Sequence, residues 1–451
     1  MLRRYGHEVV TLTRHNDDLR IGVGGLFSML HNRTFAAAVD DAIKDHRPDV
    51  MQCNNLFPTM STSAYGVARR HRVAVVQALR NYRTFCANGC LYRDGQVCRT
   101  CLDQPVALSG IVHKCYRDSR AASGMMALIQ AYGRATGVRG RAVDAFITPS
   151  KFAMRLHIDN GFPESKMFSR PNFVDPEPAF QSEVADDAAA VFIGRITPEK
   201  GLATLLAAWQ NHPTPRRLVI VGDGPQRSEL EQRHRDDPRV VWRGRVPSTE
   251  VVAELSAARY LVMPSQWYET FGRTIVESLA CGTPVVVADH GAMAELVTPD
   301  VGEAFTPGDV SELTASIDKM ESISAGAYTT MRQQSRDLHQ TQYTAGQSYR
   351  GLMRVYQSVA QRQLERFRTD AATSTRLSRW NDELTNAVGP TTDHPTDPSL
   401  DAVVEPGRVA RESRSGGSVA RFDAAGGFTP DDRPGSVRRP SVAATRKIAD
   451  S

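Results

Sequence analysis

Two carboxylates, Glu269 and Glu277, stand eight positions apart in the stretch Glu269-Thr-Phe-Gly-Arg-Thr-Ile-Val-Glu277. An ionised carboxylate accepts hydrogen bonds through both oxygens, so each acid can hold the hydroxyls of a sugar diol. Between them lie Phe271, Gly272 and Arg273, whose backbone N–H groups would open a helix and point at an anion. The stretch therefore has the makings of a phosphate seat flanked by two hydroxyl-binding acids. That chemistry suits a nucleotide-sugar.

A second set of chemistry-bearing residues lies upstream, in Val191-Phe-Ile-Gly194-Arg195-Ile-Thr-Pro-Glu-Lys200-Gly201. Arg195 and Lys200 are cations at a strand-to-helix turn, where a pair of them can neutralise a diphosphate. Seen alone, two solvated surface cations explain the pair as well. A third feature, Leu218-Val-Ile-Val-Gly222-Asp223-Gly224-Pro225, is an apolar run ending in a glycine-rich turn. A single Gly-x-Gly is weak evidence, because it is often just a tight turn.

The elements that must position these residues can be read from the apolar pattern. Tyr260-Leu-Val-Met263 and Val285-Val-Val-Ala288 are strand-like runs, separated by the Glu269–Glu277 stretch and a Cys281-Gly-Thr-Pro284 break. The order strand, loop, helix, strand places Glu269 beyond a strand's carboxyl end and Glu277 two turns down the following helix. In open α/β sheets that edge is where ligands bind. Pro198 suits an early helix position, and Leu202, Leu205, Leu206 and Trp209 follow at helical spacing to about Gln210. From Ala188 to about residue 320, strand and helix alternate on a roughly 25-residue beat, which predicts a doubly wound sheet.

Together these residues resemble the retaining glycosyltransferases of family 4. The resemblance rests on Gly194-Arg195 with Glu199-Lys200-Gly201, Gly222-Asp-Gly-Pro225, Pro264-Ser265, Glu269-x7-Glu277 and Gly282-Thr-Pro-Val285. It implies an α/β protein of GT-B fold, two Rossmann-like doubly wound domains facing a central cleft. It implies that Arg195 and Lys200 hold the donor diphosphate and that Glu269 contacts the donor sugar, making these three the catalytic set. Gly194, Gly222, Asp223, Gly224, Phe271, Gly272, Arg273 and Glu277 would complete the donor site, with Glu277 on the ribose hydroxyls. The donor would be a UDP-, GDP- or similar nucleotide-sugar, with no cofactor required for catalysis. Transfer in this family is described as front-face, the leaving diphosphate taking the acceptor proton. The protein then supplies mainly electrostatic stabilisation.

The first half carries a narrower resemblance to one bacterial branch of that family. It is carried by Gly6-His-Glu-Val9, Arg14-His-Asn-Asp17, Pro48-Asp-Val50, Asn55-Leu-Phe-Pro58, Asn81-Tyr-Arg83, Ser150-Lys-Phe152 and Pro171-Asn-Phe-Val-Asp175. Gly6–Val9 would be an early strand; the strand and Gly-rich loop that precede it in relatives are expected to be missing, with Met1–Gly6 as the end of the helix that leads into it. Gln52, Asn54 and Arg80 also stand where relatives carry other residues, histidine among them. The branch makes cell-surface polysaccharides or glycolipids, which implies a glycan or lipid-linked acceptor.

Cys86, Cys90, Cys98, Cys101 and Cys115 crowd one stretch and account for most of the seven cysteines. Cys86, the Cys98-x2-Cys101 pair and Cys115 can supply four thiolates to a structural zinc. Plain reduced thiols and disulfides are the rival readings. Cys53 and Cys281 read as small apolar fillers.

At 451 residues and net charge +5, the chain can hold more than one domain and is only modestly basic, which argues against nucleic acid as a partner. Cations do cluster at Arg3-Arg4, Arg69-Arg70-His71-Arg72, Arg117, Arg120, Arg139 and Arg141. In the family such a face docks on anionic membrane, so the expected location is cytoplasmic, peripheral on the inner membrane face. The expected organisation is an acceptor-side domain over 1–182 with a Cys-rich insertion at 83–120, then a donor domain over 183–340. A crossover helix at 341–368 and a disordered tail at 369–451 follow, the tail being rich in Pro, Gly, Ser and charge. A non-catalytic nucleotide-sugar binder and, less well supported, a GT-B epimerase are the competing functions.

Overall fold

The computed structural model describes residues 1–13, 32–54, 61–102 and 104–388, all within one compact unit, Met1–Asp401. Arg14–Asp17, Asn55–Pro58 and the tail beyond 388 lie outside the described residues. The first sheet pairs β1 (Val50–Asn54), β2 (Ala74–Ala78), β5 (Ala145–Thr148) and β6 (Met167–Ser169) in the order β1-β2-β5-β6, all parallel. The ribbon β3 (Tyr92–Arg93) and β4 (Gln96–Val97) is a separate antiparallel pair within the Cys-rich segment. The second sheet contains β7 (Ala190–Ile193), β8 (Leu218–Val221), β9 (Val240–Gly244), β10 (Tyr260–Met263), β11 (Val285–Ala288) and β12 (Gly302–Phe305).

Its order, β12-β11-β10-β7-β8-β9, is again wholly parallel. The chain winds outward from β7 through β8 and β9, then returns to lay β10 on the other side of β7. Strand order therefore reverses between β7 and β10, and the crevice at their carboxyl ends is the switch point where such sheets bind ligands. Val285, Val286, Val287, Leu261 and Val262 are fully buried, as strands covered on both faces must be. Leu202, Leu205, Leu206 and Trp209 fill one face of that sheet from the helix Leu202–Asn211, at the spacing read from sequence.

Three sequence expectations are corrected here. Gly6–Val9 does not form a strand: Leu2–Tyr5 is a short 3-10 helix, and Tyr5 stacks on Tyr349 at 3.8 Å. His7 bonds the Tyr349 hydroxyl at 2.8 Å, which ties this end to a helix rather than to the sheet. The helix Leu202–Asn211 starts after Gly201, because a 3-10 turn, Pro198–Lys200, comes first. Finally, order does not stop near 368. The helix Ala345–Arg366, which buries Tyr349, Leu352, Met353, Tyr356 and Val359 against the first sheet, is followed by a helix Ala371–Val388.

That last helix buries Leu377, Trp380 and Leu384 in the same apolar cluster, so it belongs to the fold. Leu384→Ala removes a side chain that is 2% exposed and should cost about 2 kcal/mol, read by urea unfolding. A cost below about 0.5 kcal/mol would show the helix to be a solvated extension.

Candidate functional site

Each residue of the site is placed by a turn at the carboxyl edge of the second sheet. After β7 the chain passes Gly194 and Arg195, and after β8 it passes Gly222, Asp223 and Gly224. These turns touch. Gly194 N donates to Val221 O at 3.0 Å and Ile196 N to Asp223 O at 2.9 Å. Gly222 has φ +146°, and a Cβ there would lie 1.8 Å from the Gly194 carbonyl oxygen, so only glycine fits. Asp223 is exposed, and its carboxylate accepts from Gly224 N at 2.8 Å, closing the turn.

Lys200 ends the 3-10 turn and reaches back across the switch point. Its Nζ donates to Glu269 Oε1 at 2.5 Å, and Ser265 Oγ donates to the same oxygen at 3.0 Å. The pair is mostly buried, with side-chain exposures of 16% for Lys200 and 9% for Glu269. Trp267 lies with its ring 5.4 Å from the Lys200 ammonium, adding a cation–π contact. Arg195 is different: it is exposed and bonds Glu199 Oε1 at 3.3 Å. The two cations that spacing alone could not distinguish from surface charges thus separate into a buried one held by an acid and an exposed one beside it.

Phe271 is buried, and Gly272, with φ +98°, forms the N-cap of the helix Arg273–Ala280. Among the described residues no side chain caps that end, so its amides stay available to an anion. Glu277 lies one turn into this helix, not two, because the helix begins only at Arg273. Its Oε1 accepts from Arg273 Nε at 2.8 Å, and burial pushes its carboxyl above the ordinary range. Arg273 is largely exposed and can yield that oxygen to another donor.

The site is closed by residues from the first half, which the sequence reading did not assign to it. Tyr82, wholly buried, directs its hydroxyl to the Glu269 carbonyl at 3.4 Å, and Ser150 Oγ donates to the Thr270 carbonyl at 2.9 Å. Glu295 accepts from Lys151 N at 2.9 Å and from Phe152 N, capping the helix Lys151–Asp159. The carboxyl edges of the two sheets therefore meet around Glu269. The Cys-rich segment also reaches this place, since Tyr92 OH donates to Gln266 Oε1 at 3.3 Å. His290, whose pKa burial lowers, bonds the Ser265 carbonyl at 2.9 Å and steadies the loop after β10.

The geometry of these side chains does not by itself support the zinc expectation. Among the described residues, which include Cys86, Cys98, Cys101 and Cys115, no group of three or more His, Cys, Asp or Glu side chains is placed to hold a metal. Burial raises the Cys86 thiol to about 11, and it donates to Asn88 Oδ1 at 2.9 Å. Cys98 instead contacts Thr100 Oγ1 at 3.5 Å. Metal analysis of the purified protein decides the matter: stoichiometric zinc that is lost in Cys98→Ser establishes a thiolate site, and absent metal in the parent dismisses it.

Residues 175–337 match the family described as glycosyl transferases group 1. The matched region holds the second sheet, Lys200, Glu269 and Glu277. An uncharacterized 42.6 kDa protein in the cps region of Klebsiella pneumoniae is 24% identical over 268 residues, 59% of this chain and 64% of that protein. The GDP-mannose-dependent alpha-(1-6)-phosphatidylinositol dimannoside mannosyltransferase of Mycobacterium tuberculosis is 37% identical over 115 residues, 25% of this chain and 30% of that protein. The chain thus spans less than two thirds of the length of these curated relatives. Among solved structures, Anabaena HepE in complex with UDP superposes with a TM-score of 0.53 at 18% identity, covering 72% of this chain and 82% of that one. The fold is GT-B.

Proposed function

We propose that this chain is a retaining family 4 glycosyltransferase that moves a sugar from a nucleotide-diphosphate donor to a glycan or lipid-linked acceptor. The observation that carries the reading is the buried Lys200–Glu269 pair at the switch point, beside the uncapped helix that begins after Gly272. Lys200, Arg195 and the helix amides would neutralise the diphosphate as its charge develops. Glu269 would hold donor-sugar hydroxyls, and Gly222, Asp223 and Gly224 would line the nucleotide's path. UDP in HepE and GDP-mannose in the mycobacterial enzyme support a UDP- or GDP-sugar donor.

The phosphatidylinositol dimannoside named for the mycobacterial relative supports an acceptor presented on a lipid, and with it a role in cell-surface glycolipid or polysaccharide synthesis. No helix among the described residues is long and apolar enough to cross a membrane. Docking on an anionic bilayer would use an exposed apolar and cationic patch of the Cys-rich region. Leu108 and Val112, each 64% exposed, and Leu128, 50% exposed, stand on packed helices beside exposed Lys114, Arg117 and Arg120. Each such cation would contribute about 1 kcal/mol near anionic headgroups.

Donor hydrolysis tests the reading: turnover of a UDP- or GDP-sugar should occur in the parent and vanish in Glu269→Ala. Nucleotide binding without turnover of any sugar nucleotide, with or without an acceptor, would leave a binding protein instead. For Glu277, Glu277→Gln should weaken nucleotide binding by about tenfold through loss of a charge-assisted bond. If the ribose hydroxyls are its partners, a deoxyribose nucleotide should bind parent and variant alike.

A further inference from the structure

The first sheet carries a concentration of positive charge that the donor site does not use. Arg80 follows β2 and Arg170 follows β6, so both lie at the carboxyl edge that faces the second sheet. Between them is the end of β5, where Thr148 O accepts from Arg170 N at 2.8 Å and Ser150 reaches Thr270. Arg80 is close to the same segment, because its carbonyl accepts from Thr270 Oγ1 at 3.4 Å. Thr270 is the residue next to Glu269.

Neither guanidinium has an acidic partner among the described residues. Arg80 Nη1 donates to the neutral Asn172 Oδ1 at 2.7 Å. Arg170, 9% exposed, gives Nη2 to Ser348 Oγ at 2.7 Å and Nε to the Ser348 carbonyl at 3.1 Å. It also lies 6.0 Å from the Phe173 ring. Burial, reinforced by the charge of Arg80, draws the Arg170 guanidinium down to about 10. Most of the other buried arginines have different roles: Arg332 is spent on backbone carbonyls, and Arg336 approaches Glu177 at 3.5 Å. Arg170 is buried with only neutral partners and Arg80 beside it is open to solvent, so an anion entering from solvent would meet both cations.

We infer that Arg80 and Arg170 form a seat for a carboxylate or phosphate carried by the acceptor. The inference rests on the transferase reading and adds to it that the acceptor is an anionic glycan or glycosyl phosphate. The seat lies on the sheet opposite the one that holds Lys200 and Glu269, so an acceptor bound there faces the donor sugar across Thr270. Arg170 is the fixed member, locked by Ser348; Arg80 is the accessible one and the one to vary.

The test uses the full chain saturated with UDP, or with GDP where that is the nucleotide bound, titrated calorimetrically with inorganic phosphate, glucuronate and neutral glucose. Phosphate and glucuronate should bind, about tenfold more weakly in Arg80→Gln and with partial recovery in Arg80→Lys, while glucose is indifferent to both changes. Equal phosphate and glucuronate affinity in parent and Arg80→Gln overturns the seat and leaves the transferase reading standing. A second arm compares UDP-glucuronate with UDP-glucose on the nucleotide-free protein. If Arg80→Gln weakens only UDP-glucuronate, the charged group belongs to the donor, and the assignment to the acceptor is overturned. Failure of every nucleotide to bind is a separate result, which removes the transferase reading and this inference with it.

Discussion

Lys200→Met is expected to lower sugar transfer or donor hydrolysis by about a hundred- to a thousandfold, the scale seen when one preorganised donor to a developing anion is removed. The residue meets two demands at once. In the resting protein its ammonium neutralises Glu269, and in the proposed reaction it would turn toward the leaving diphosphate while sugar hydroxyls occupy the carboxylate. Because both side chains are mostly buried, the substitution leaves an uncompensated acid beside Trp267. Breaking a buried pair from one side costs about 3–5 kcal/mol, and the remaining solvent access places this one at the lower end.

The double variant Lys200→Met/Glu269→Gln separates the two effects. It should regain most of the lost stability and none of the lost turnover. If Lys200→Met alone kept full activity, the electrostatic role given to Lys200 would be wrong. If the double variant were as unstable as the single one, the pair would not be the source of the destabilisation.

Gly201→Ala is expected to destabilise the protein by about 2–4 kcal/mol and to reduce activity with it. Gly201 has φ +68°, and a Cβ built there would meet Pro264 O at 1.9 Å and Pro264 C at 2.9 Å. Those backbone atoms cannot swing aside as a flexible side chain could, so the turn after β7 and the loop after β10 would be forced apart. That is the junction over which Lys200 reaches Glu269. Gly95→Ala is the control: Gly95 has φ +81° but nothing within 4 Å of its built Cβ, so it should cost only about 1 kcal/mol. Equal losses in the two variants would show that conformational strain, and not the close approach of β7 and β10 exits, governs Gly201.

Much of the second half was legible because its information is local. Apolar runs such as Leu218–Val221 and Val285–Ala288 are strands on their own composition, and the glycines and charged residues after them mark turns. The start of the tail was placed too early for an instructive reason. Composition averaged over 369–451 is polar, yet Leu377, Trp380 and Leu384 already stand at helical spacing, and they find a partner surface on the helix Ala345–Arg366. The cysteine cluster is the opposite case: whether four thiols near in sequence share one ligand depends on how the loops between them turn, which spacing alone does not specify.

Residue types, their spacing and the strand rhythm were enough to determine the doubly wound second half and to nominate Lys200, Glu269 and Glu277, since each is fixed by neighbours a few residues away. Only the tertiary structure decided that Lys200 is held by Glu269 and that Arg195 is exposed. It alone brought Tyr82, Ser150 and Glu295 to the same cleft and set Arg80 near Arg170. Those contacts join segments far apart in the chain, and their geometry depends on how two sheets pack, a property that no short stretch of sequence encodes.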